Sequence, residues 1–136
     1  MTSENWYLGL DVGEKRIGVA VGDNIVKIAL PIAVIPNDDE VIINIEKLLD
    51  KYNVEKIIVG LPRNSQGEET AQSQFVRDFI EKLEPLDIPI ILQDESLTSV
   101  KAEERLKARK KDYSREDIDA ESAVIILSDF LEVSGA

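Results

Sequence analysis

The chain of 136 residues carries 27 acidic against 16 basic side chains, a formal charge of −11 and 43% hydrophobic residues, the composition of one globular domain spanning 1–136. It contains no cysteine and no histidine, which excludes disulfides, thiolate or imidazole zinc sites, cysteine nucleophiles and every triad built on histidine. Hydrolytic chemistry in such a chain falls to carboxylates, whose hard oxygen donors favour magnesium or manganese.

Residues Tyr7 to Asp11 alternate, with Leu8 and Leu10 on one face and Tyr7, Gly9 and Asp11 on the other, the period of a strand. After a Gly13-Glu14-Lys15 turn, Ile17 to Val21 reads as the returning strand of a hairpin. Asp11 thus lies near the end of a central strand, where a carboxylate is costly unless something compensates it. Glycines at 9, 13 and 18 are expected to leave open backbone around it, through which a large ligand approaches. Asp-x-Gly is equally ordinary turn chemistry. This stretch alone does not choose between the two.

Val26 to Ile35 reads as a third strand, in which Pro31 marks an edge position or a bulge. Asn37-Asp38-Asp39 supplies cap residues for a helix with Val41, Ile42, Ile45, Leu48 and Leu49 on its apolar face. Lys56 to Val59 is a short strand running into the loop Gly60-Leu61-Pro62-Arg63-Asn64-Ser65-Gln66-Gly67. Ligands bind at such carboxyl ends in open α/β sheets. A second helix is expected from Glu69, burying Phe75, Phe79, Ile80 and Leu83, and a fifth strand over Ile88 to Leu92 that ends in Gln93-Asp94-Glu95.

Thr98 or Ser99 is placed to cap a third helix with Val100, Ala102 and Leu106 inward. Toward its far end lies a basic run of Arg105, Lys107, Arg109, Lys110, Lys111 and Arg115. The run suits a phosphate backbone, or a solvated and salt-bridged helix end. A fourth helix starts between Ser114 and Asp119, and its body from Ala123 to Leu131 is apolar on nearly all sides, so it should be buried against the sheet. The order β-β-β-α-β-α-β-α-α predicts an α/β fold, an antiparallel meander followed by parallel crossovers, with helices covering a mixed sheet. No apolar run reaches membrane-spanning length and the first residues lack the pattern of a signal peptide, so a cytoplasmic protein without a membrane partner is expected.

Three acids stand out. Asp11 closes the first strand, Glu95 follows the last, and Asp119 shares a helical face with Ala123, Ile126 and Phe130. If the first and last strands lie side by side, the first two acids meet. Each also has an ordinary explanation as a turn, strand-end or first-turn acid. Clustered carboxylates repel unless a cation neutralises them, and a pair of divalent ions about 4 Å apart is a known solution for phosphodiester hydrolysis.

Four motifs occur in order: Asp11-Val12-Gly13-x-Lys15-Arg16-Ile17-Gly18-Val19-Ala20-Val21-x-Asp23, Val59-Gly60-Leu61-Pro62 with Gly67, Asp94-Glu95-x-Leu97-Thr98, and Asp119-Ala120-x-Ser122-Ala123. Together they span essentially the whole chain and resemble the YqgF family, whose members are also called Holliday junction resolvase-like or small-subunit rRNA precursor nucleases. The resemblance implies an RNase H-like fold, a five-stranded mixed sheet with its first three strands antiparallel. It implies a nuclease using Mg2+ or Mn2+ in a two-metal site, with Asp11, Glu95 and Asp119 as catalytic and metal-binding residues. The resemblance also implies that the Gly60-Leu61-Pro62 loop and Asn64 lie beside that site. Family members trim the 5′ end of the small-subunit rRNA precursor, so RNA and that ribosomal precursor are the implied partners, with structured DNA as the other substrate.

The chain departs from the family pattern at Ser96, where an arginine is usual, and at Asp117, where a lysine is frequent. Both changes remove positive charge. Phosphate binding is then expected either to be weaker or to lean on Arg16, Arg63 and the 105–115 run with Arg105, Arg109, Lys110 and Lys111. Rival readings are a resolvase acting on four-way DNA junctions and a non-catalytic RNA- or ribosome-binding module; no dimer interface is legible. Phosphotransfer in the actin and hexokinase manner needs a second domain for which the length leaves no space. Asp23 reads as a loop acid and Lys15 as a surface turn residue.

Overall fold

The computed structural model describes residues 6–95, 98–109 and 112–133. Five strands, β1 (Trp6–Val12), β2 (Arg16–Asp23), β3 (Ala29–Pro36), β4 (Val54–Pro62) and β5 (Ile90–Glu95), form one sheet in the order β3-β2-β1-β4-β5. β1 to β3 run antiparallel, while β4 pairs parallel with β1 and β5 parallel with β4. Four helices cover it: α1 (Val41–Tyr52), α2 (Ala71–Lys82), α3 (Thr98–Ala108) and α4 (Arg115–Val133). This is the mixed five-stranded sheet that the resemblance implies. No helix among the described residues is long and apolar enough to cross a membrane.

Strand alternation divides the interior into two cores. Leu8, Leu10, Ile17, Val19, Ile57, Val59 and Leu61 point to the face covered by α1 and α2, where they meet Val41, Ile45, Val76, Phe79 and Leu83. The opposite face presents Tyr7, Ala20 and Ile58 to Ala123, Ile126, Leu127 and Leu131 of α4. Helix α4 has the all-round burial its apolar body predicts, with every side chain from Glu121 to Leu127 withdrawn from solvent.

Several boundaries shift for local reasons. Residues ahead of Ala29 turn instead of pairing, because Asp23 Oδ1 accepts the backbone N–H of Ile25 and of Val26 at 2.9 and 2.6 Å. That makes Asp23 the loop acid expected. Pro31 occupies the edge strand, beside a register shift between Val19 and Ala20. Asn37 does not cap α1; its side chain donates to Gly13 O at 2.8 Å and ties the end of β3 to the hairpin turn. Asp38 accepts from the Glu40 N–H instead.

Helix α2 begins two residues later than expected, since Thr70 and Ser73 form a reciprocal capping box. Glu69 pairs instead with Arg77 at 2.7 Å. Val76 joins the buried stripe that Phe79 and Leu83 were expected to form, while Phe75 and Ile80 are only partly covered. In α3, Val100 is 50% exposed rather than inward. Ala102 and Leu106, one turn apart, define the inner face, and a residue two before Ala102 falls on the far side.

Helix α4 starts at a second reciprocal cap. The Asp117 N–H donates to Ser114 Oγ at 3.1 Å, and the Ser114 N–H donates to Asp117 Oδ2 at 2.8 Å. Asp117, the departure from the family's lysine, therefore closes a helix terminus. Ser114→Ala is expected to lower stability by about 1 kcal/mol in urea unfolding.

Candidate active site

Asp11 and Glu95 share the α4 face of the sheet. On β1 the alternation that sends Tyr7 to that face also sends Asp11 there, and on β5 Ile91 sets the parity for Glu95. Both stand at the carboxyl ends of strands running the same way. The two strands are not neighbours, however: β4 lies between them, so their backbones are about 10 Å apart across the sheet. Leu10 pairs with Val59 but Glu95 with Pro62, which also sets Glu95 further along the sheet than Asp11.

Asp119 reaches this end from above. It sits in the second turn of α4, and its approach is made possible by Gly18, the residue paired with Asp11 on β2. A Cβ on Gly18 would overlap the backbone carbonyl of Asp119, and one on Gly9 would lie 2.8 Å from Leu127 Cβ. The open backbone expected around Asp11 is thus filled by the protein itself. These glycines admit α4, not a ligand.

The electrostatics follow. Asp11 is pushed up to about 7, first by burial and then by the neighbouring Asp119 carboxylate. Among the described residues no side chain hydrogen-bonds or ion-pairs with Asp11. Asp119 is held by Arg16, whose Nε donates to Oδ2 at 2.6 Å. Glu95 is 8% exposed, and its backbone carbonyl accepts the Arg63 N–H at 2.9 Å. Among the described residues no three acids stand close enough to hold a metal ion as they lie. The structure brings Asp11 and Asp119 into mutual interaction, with Glu95 on the same face and at the same end.

Beside Glu95 lies a cleft of about 190 Å³ lined by Arg63, Asn64, Ser65, Gly67, Asp94 and Glu95. Asn64 organises this loop from within: its Oδ1 accepts the N–H groups of Gln66 and Glu68, and its Nδ2 donates to Glu68 Oε1. Arg63 donates from Nη1 to Gly67 O at 3.1 Å and keeps Nε 3.1 Å from Asp94. Its guanidinium thus lines the cleft while anchored to the loop.

The basic run is divided. Arg105 Nε lies 3.0 Å from Glu121 Oε2, and Arg109 grips both oxygens of the same carboxylate at 3.1 and 3.3 Å. Both arginines remain about half exposed, whereas Glu121 is buried. Lys110, Lys111 and Ser96 lie outside the described residues. Glu121 was not singled out in the sequence. Its signal was an acid inside an apolar helix, opposite arginines spaced i, i+4. It fastens α3 to α4, and Glu121→Ala is expected to cost about 2 kcal/mol in chemical unfolding, less than a fully buried pair because the arginines reach solvent.

Comparison with known proteins matches residues 5–133 to the family described as RuvX, Holliday junction resolvase. A protein of Sulfurihydrogenibium sp. (strain YO3AOP1), named "Putative pre-16S rRNA nuclease", is 44% identical over 128 residues, covering 92% of this chain and 88% of its own. One of the same name from Chloroflexus aggregans is 39% identical over 135 residues, covering 96% and 95%. Among solved structures, Thermus thermophilus RuvC in complex with a Holliday junction substrate superposes with a TM-score of 0.56 at 13% identity, over 95% of each chain. The fowlpox virus resolvase with its junction DNA gives 0.54 at 15% identity, over 95% of this chain and 98% of that one.

Proposed function

This chain belongs to the RuvX family, also called YqgF, with its RNase H-like fold, and from that premise we propose that it is a divalent-cation-dependent nuclease that processes the 5′ end of the small-subunit rRNA precursor. The observation that carries the reading is the meeting of Asp11 and Asp119. Two carboxylates drawn together, one of them raised to about 7 by burial and by the other, form a site whose charge is balanced best by a cation. The donors are all oxygen and no histidine or cysteine exists to compete, so the set fits Mg2+ or Mn2+.

In this reading Asp11 and Asp119 are the first ligands and Glu95 completes the set, two cations being the expected occupancy. When bound, such ions polarise the phosphate and activate the attacking water. The chain supplies the rest. The rigid β1 strand fixes Asp11, and the Gly18 contact fixes Asp119 relative to it. Arg63 lines the cleft beside Glu95, where its positive charge favours a phosphate. Arg16, Asn64, Arg105 and Arg109, with Lys110 and Lys111, are the remaining candidate nucleic-acid contacts. A single domain acting in the cytoplasm accords with this role.

The family's description favours one rival, cleavage of four-way DNA junctions. The discriminating experiment offers an rRNA precursor fragment, single-stranded RNA and a four-way junction, with manganese, magnesium or chelator. Cation-dependent cutting near the 5′ end of the precursor is expected. Paired symmetric cuts in the junction would replace this reading with the resolvase, and binding without any cleavage would reduce the protein to an RNA-binding module.

A further inference from the structure

Arg16 opens β2 and sets its guanidinium against Asp119. Its side chain is 30% exposed and that of Asp119 20%, so the 2.6 Å contact between them is largely withdrawn from solvent. Only Nε is spent. Among the described residues the two terminal nitrogens of Arg16 make no hydrogen bond, leaving the outer edge of a planar fork unused. Arg16 therefore stands where a cation is wanted, bonded through one nitrogen to one of the oxygens a metal ion would take.

An arginine and a divalent cation carry the same sign, and an Oδ2 already engaged by Arg16 is a weaker ligand, so the two compete for Asp119. We propose that Arg16 is the counter-cation of the metal-free site, that it yields Asp119 to an incoming divalent cation, and that its freed guanidinium then engages a phosphate of the nucleic acid. The inference rests on the divalent-cation reading above. It makes substrate affinity conditional on the cation, because the same side chain serves Asp119 in one state and phosphate in the other. No change of fold is required, only a swing of one side chain at the start of a strand.

The test is direct binding, independent of turnover. Manganese is titrated calorimetrically into wild type, Arg16→Gln and Arg16→Met at pH 8, with circular dichroism to verify folding. Both charge-free variants should bind manganese about fivefold more tightly than wild type, since the competitor is gone. Equal or weaker binding by the folded variants overturns the exchange while leaving the nuclease reading in place. Absence of manganese binding by folded wild type overturns both.

The second arm follows a fluorescent single-stranded RNA by anisotropy, in calcium or in chelator. Divalent ions ordinarily weaken protein–RNA contacts by screening phosphates. Wild type should nevertheless bind roughly fivefold more tightly with calcium, and the variants should gain distinctly less, keeping only what a bound ion itself contributes at the phosphate. A wild-type affinity unmoved or lowered by calcium, or an equal gain in the variants, overturns the handover of Arg16 to phosphate.

Discussion

Asp11→Asn is expected to lower cation-dependent cleavage by about 10³-fold while making the metal-free protein more stable at pH 8. The two effects share a cause. The Asp11 carboxyl titrates near 7 in the folded chain against 3.8 in the absence of the fold. Between those values the native state binds more protons than the unfolded state, so stability falls as pH rises through the window and is flat above it. The bound on the loss is about 4 kcal/mol, and partial exposure of Asp11 makes the realised value smaller.

Urea unfolding in chelator from pH 4 to pH 8 should therefore show wild type weakening and Asp11→Asn holding steady. Manganese should restore much of the wild-type loss at neutral pH, because it binds only the folded site. A variant less stable than wild type at pH 8 would contradict the picture of Asp11 as an uncompensated acid.

Among the described glycines, Gly18→Ala should be the most damaging substitution. The added methyl would overlap the backbone carbonyl of Asp119, and backbone in the second turn of a helix has no rotamer to change. Relief requires α4 to lift from the sheet, at a cost of about 3 kcal/mol or more. Thermal melting reads that loss. Near-ultraviolet circular dichroism should report the same movement, since Tyr7 on β1 and Phe130 on α4 pack edge to face with ring centroids 5.8 Å apart. Manganese affinity should fall with it, as Asp119 leaves Asp11.

Much of this arrangement is legible in the residues. Alternation through Tyr7 to Asp11 gives the face of β1, Pro31 marks an edge strand, and the unbroken apolar body of α4 announces its burial. What escaped has a common character. A glycine signals space but not its occupant, so Gly9 and Gly18 suggested a ligand where α4 lies. Pairing order is equally hidden: nothing local to Glu95 tells that β4 separates its strand from β1. The arginines of the basic run carry the same charge whether they face phosphate or Glu121, and the deciding acid lies on another helix.

Arg16 and Asp119 touch although 103 positions separate them in the chain. A polypeptide still being made thus displays its first acid long before the helix that bears the third has been added. Long-range closures of this kind come late in folding, after local pairs have formed. The hairpin that carries Asp11 can assemble early and remain chemically idle. On the proposed assignment, the cutting centre stays unfinished in a growing chain and is complete only when α4 settles onto Gly18.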